Sequence, residues 1–97
     1  MIKIADMIGE AAAYEQLAEE CVELAHAALK YARVKRGENA TPVTAEEATE
    51  SVREEAADVL VCIKECIGTQ GLADVGNTCI EKAQRWRERV AKDGGGA

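Results

Sequence analysis

The chain has 97 residues, carries 12 Lys and Arg against 18 Asp and Glu for a net charge of −6, and is 47% hydrophobic. That hydrophobic fraction excludes intrinsic disorder, the acidic balance excludes a dedicated duplex nucleic-acid binder, and no apolar run of about 18 residues is present to span a membrane. What remains is one acidic globular domain, small enough that a partner subunit is expected to complete some of its apolar faces.

Residues 2–9 read as a short helix or lead-in. The start has no extended apolar stretch and meets acidic residues early, so a secretory signal is not expected and the expected location is cytoplasmic. From about residue 11 to 35 the chain is rich in Ala, Glu, Leu and Lys. Leu17, Cys21, Leu24, Ala28 and Tyr31 recur there at spacings of three and four, which predicts an amphipathic helix. Lys30, Arg33, Lys35 and Arg36 suit the negative end of its dipole, and Gly37 is the expected stop.

Residues 37–43 lack periodicity and hold Pro42, the chain's one proline. Thr44-Ala-Glu-Glu47 fits a capping box, in which the threonine oxygen and the glutamate carboxylate satisfy free backbone N–H groups reciprocally. The second helix is expected to run to about residue 67 and to end near Gly68 or Gly71. Val52, Ala56, Val59, Ile63 and Ile67 make its apolar stripe, and Leu60, Val61 and Cys62 widen it nearly all round. Such a helix needs cover on more than one side, which predicts a homodimer or homotetramer.

A third helix, about 72–92, places Val75, Cys79, Ala83, Trp86 and Val90 on one stripe. Its residues 81–92 carry five basic groups (Lys82, Arg85, Arg87, Arg89, Lys92) against two acidic ones (Glu81, Glu88), a net of +3. Residues 94–97 read as a flexible tail behind a single domain at 1–93. The predicted fold is all-α: three main helices with a short N-terminal lead-in helix, packed as a bundle completed by oligomerisation. The four cysteines include no Cys-x-x-Cys pair and read as small core residues in a reducing compartment.

Carboxylates concentrate in the middle of the first two helices, at Glu19-Glu20-Cys21-Val22-Glu23 and at Glu54-Glu55-Ala56-Ala57-Asp58. Residues three apart share a helix face with Cβ atoms about 5–6 Å apart, so Glu20 with Glu23, and Glu55 with Asp58, can each close on one ion. Antiparallel packing of the two helices would gather all four. Oxygen-only ligation suits hard cations, above all Mg²⁺ or Mn²⁺. The alternative is a solvated acidic face with no ion.

Gln16-Leu-Ala-Glu19-Glu20-Cys-Val-Glu23-Leu24, followed by Glu55-Ala-Ala-Asp58-Val-Leu60, resembles the MazG-like all-α nucleoside triphosphate pyrophosphohydrolases. Their motif is Glu-Glu-x-x-Glu on one helix and Glu-x-x-Asp on the next. Lys82-Ala-Gln-Arg85-Trp86-Arg87 is similar to the Lys-x-x-Arg element that follows it, and the resemblance covers about residues 10–90. The interval from Glu23 to Glu55 is longer than the family usually has, and Asn77 stands five residues before Lys82 rather than close beside it. The resemblance implies hydrolysis between the α and β phosphates of a nucleoside triphosphate. It implies Mg²⁺, with Mn²⁺ as a substitute, held by Glu20, Glu23, Glu55 and Asp58, and a water positioned by Glu19 or Glu54. Lys82 and Arg85 would then meet the leaving phosphates, with Trp86 and Asn77 as possible base contacts.

Other readings stand beside this one. Glu23-x-x-His26 resembles half of a di-iron bundle motif, which needs a second copy, and His26 is expected to be partly exposed. Cys62 and Cys66, one turn apart, read as core rather than as metal ligands. Trp86 lies between Arg85 and Arg87, suited to stacking on a base, yet its heptad neighbours favour burial. From a different class, the chain reads as a non-catalytic helical oligomerisation module whose acidic stripes pair with the basic ends of neighbouring subunits.

Overall fold

The computed structural model describes residues 2–38 and 42–94, and among them all regular structure is helical. The elements are α1 (Ile4–Ile8), α2 (Glu10–Arg36) and α3 (Ala45–Lys92). They fall in two compact units, Met1–Cys66 and Ile67–Ala97.

In the first unit, α1 and α2 meet at Gly9, whose φ of 98° is a conformation that L side chains rarely adopt. The Gly9 N–H donates to the Ala5 carbonyl at 3.0 Å, closing α1. At the other end of α1 the Ile4 N–H donates to Glu65 Oε2 at 3.2 Å, tying the short helix to α3. α2 ends at Gly37, in the left-handed conformation (φ 67°, ψ 23°). There the Gly37 N–H donates to the Val34 carbonyl and the Glu38 N–H to the Arg33 carbonyl, each at 3.2 Å. These two bonds form a Schellman motif, and Arg33, Lys35 and Arg36 occupy the last turn, where cations offset the helix dipole.

The capping box that opens α3 is formed in both directions. The Glu47 N–H donates to Thr44 Oγ1 at 3.0 Å, and the Thr44 N–H donates to Glu47 Oε1 at 3.1 Å. Part of the expected 37–43 loop, residues 39–41, and part of the expected tail, 95–97, lie outside the described residues.

The buried side of α2 differs from the stripe expected from spacing. Ala13, Leu17, Glu20, Leu24, Ala27, Tyr31 and Val34 are buried or half-buried, whereas Cys21 and Ala28 are exposed. Alanines surround this helix, so several faces satisfy a three-and-four spacing and the periodicity alone does not choose among them. On α3 the matching seam is Ala48, Val52, Glu55, Val59, Cys62 and Cys66, again buried or half-buried. Both runs alternate steps of three and four, the 3.5-residue repeat by which two helices keep one face together. Each seam carries one glutamate, Glu20 on α2 and Glu55 on α3.

In the second unit, α3 is interrupted at Gly68, whose φ of 80° and ψ of 174° are not helical. Helix resumes at once, so the expected third helix is the segment 69–92 rather than a separate element beginning near residue 72. Just beyond the break, Gly71 lies close against Ile67: a Cβ there would stand 3.0 Å from both Cβ and Cγ1 of Ile67, so that side chain would have to give by a few tenths of an ångström. None of the described residues from 67 to 94 is buried. Val75, Cys79, Trp86 and Val90 are all exposed, Trp86 at 65%, contrary to the burial expected for their stripe. Among the described residues no helix is long and apolar enough to cross a membrane.

Candidate functional site

The two seam glutamates meet. Glu20, Glu55 and Asp58 each place a carboxylate oxygen within 4.8 Å of the others. Their positions follow from helix geometry: Glu20 and Glu55 occupy seam positions on α2 and α3, and Asp58, one turn after Glu55, projects from the same side of α3 into solvent. Gln16, one turn before Glu20, donates from Nε2 to Glu20 Oε1 at 3.0 Å and so fixes that carboxylate's orientation.

The electrostatics of the cluster are one-sided. Partial desolvation, and then the negative charges of Asp58, Glu20, Glu23 and Glu54, push the Glu55 carboxyl above its ordinary value of 4.5. The ion pairs Arg36–Glu38 (3.7 Å) and Arg53–Glu50 (3.8 Å) involve none of the three residues. Three carboxylates at this spacing could hold a hard cation through oxygen alone, and exposed acidic groups also gather in this way without one.

The structure therefore brings together three of the four ligands expected from sequence. Glu23 is exposed and outside the triad, although its charge reaches Glu55, and the same holds for Glu54. Glu19 is exposed. Cys62 sits on the α3 seam nearby. Burial first, and then the charges of Glu20, Cys66, Asp58 and Cys21, raise its thiol above 9.0, so it rests protonated and is a poor nucleophile at neutral pH. His26 is exposed, as expected.

In the second unit, Lys82, Arg85 and Trp86 line one open groove of about 780 Å³, together with Cys79, Arg89 and Lys92. Steps of three and four from 82 to 92 place these cations along one side of the helix, with the exposed indole at their edge. Asn77 is exposed and does not line this groove.

Local spacing pairs the carboxylates at i and i+3 on each helix. The stronger signal was the seam itself: in a run that is otherwise Ala, Leu, Val, Cys and Tyr, Glu20 and Glu55 alone interrupt the 3.5-residue repeat with charge. The bond from Gln16 to Glu20 depends on side-chain conformation, which spacing does not determine. No protein-family model, curated protein or solved structure matches this chain.

Proposed function

We propose that the chain is a cytoplasmic, self-associating, Mg²⁺-dependent nucleoside triphosphate pyrophosphohydrolase of the MazG-like type. It would cleave between the α and β phosphates to give a monophosphate and pyrophosphate, clearing particular nucleotides from the pool. The observation that supports this reading is the convergence of Glu20, Glu55 and Asp58 from two helices onto one point.

In this reading those three residues would hold Mg²⁺, or Mn²⁺ in its place, with the exposed Glu23 as a further carboxylate. The ion supplies charge neutralisation for the triphosphate and a lowered pKa for the attacking water. Gln16 engages one oxygen of Glu20, and the other would be available to a cation. Glu19 or Glu54, the exposed neighbours of the ligands, would help to position that water. Lys82 and Arg85 are assigned to the leaving phosphates, where cations stabilise charge that grows in the transition state. Trp86, exposed among cations, is suited to stack on a base.

The test is a panel of standard and modified ribo- and deoxyribonucleoside triphosphates with Mg²⁺, with the phosphorus products identified. Monophosphate and pyrophosphate, lost in Glu20→Ala and Asp58→Ala, are the expected result. Orthophosphate as the first product would refute cleavage between α and β.

A second reading, the non-catalytic helical oligomerisation module, is favoured by the exposed apolar side chains on every element, including Leu29, Leu60, Val61, Ile80 and Trp86. It predicts no turnover anywhere in the panel and an assembly that dissociates at high salt.

A further inference from the structure

We draw no further inference here: the strongest candidate, the basic groove along segment 69–92 lined by Lys82, Arg85, Trp86, Arg89 and Lys92, belongs to the site already assigned to the substrate phosphates, and nothing in the structure shows what covers it.

Discussion

Replacing Gly68 with alanine probes the point where the helical path breaks. At φ 80° and ψ 174° the residue occupies a region reserved for glycine, and an L-alanine held there costs about 1–3 kcal/mol. Working against this, alanine is preferred over glycine inside a helix by about 1 kcal/mol. The close approach of Ile67 to Gly71 indicates which term wins, because the break seats that side chain where a straight helix would not. The break is therefore expected to persist, and Gly68→Ala to lower the melting temperature by roughly 4–8 °C for each kcal/mol lost. The mirror-image D-alanine at position 68 suits this backbone, since its φ and ψ reflect to an ordinary extended conformation. It is expected to stabilise by about 0.4–1 kcal/mol, through reduced freedom of the unfolded chain. Thermal melts followed by far-ultraviolet circular dichroism read both. An L-alanine variant that melts at or above the wild type, with increased helicity, would refute the reasoning and show that nothing holds the break.

Three further outcomes are expected. Thr44→Ala removes the cap at the start of α3 and should cost about 0.5–2 kcal/mol in denaturant unfolding. Its hydrogen bonds also hold the Glu47 carboxyl below 4.5, so the wild type draws stability from Glu47 above that pH and loses it as the pH falls through the lowered value. Alanine keeps the backbone N–H at position 44, which is the larger cause, so the Thr44→Ala variant should retain most of this acid-induced loss and shed only the part owed to the hydroxyl. Glu55 has the opposite sign: its raised pKa means that the folded state holds the proton more tightly than the unfolded one, so ionised Glu55 weakens the fold as pH rises past 4.5 and through the folded value. Glu55→Gln should accordingly melt above the wild type at neutral pH without divalent ions, with the difference vanishing in acid; equal melting at neutral pH would refute the crowding argument. Mg²⁺ at a hundred times its dissociation constant should stabilise the wild type by about 2.7 kcal/mol, and Glu20→Gln should abolish most of that shift. A wild type whose melting is unmoved by Mg²⁺ or Mn²⁺ would remove the metal from the proposed function.

The local features of this fold were legible because each rests on a few adjacent residues. Gly37 ends α2 because only a residue free of a Cβ penalty sits comfortably in the left-handed position that satisfies the last carbonyls. Thr44 and Glu47 open α3 because their spacing matches a reciprocal pair of hydrogen bonds. The break after the first half of α3 was legible only as a choice between Gly68 and Gly71. Both are used: one adopts the non-helical backbone, and the other makes room for Ile67.

The candidate site was legible in its composition and not in its membership. Carboxylates on two successive helices, near small apolar residues, marked the locus, but local spacing pairs Glu20 with Glu23 and Glu55 with Asp58 equally well. Only the packing of α2 on α3 separates them: it turns Glu20 and Glu55 into the seam, leaves Asp58 at its edge, and sends Glu23 to solvent. The same packing decided that Cys21 and Ala28 lie outside the seam. The sequence by itself determined the ends that carry a local signal, at Gly37 and at Thr44, since those signals act over about four residues. Which side of each helix faces its neighbour was decided by tertiary structure alone, because a helix rich in alanine offers nearly equivalent faces until another helix covers one of them.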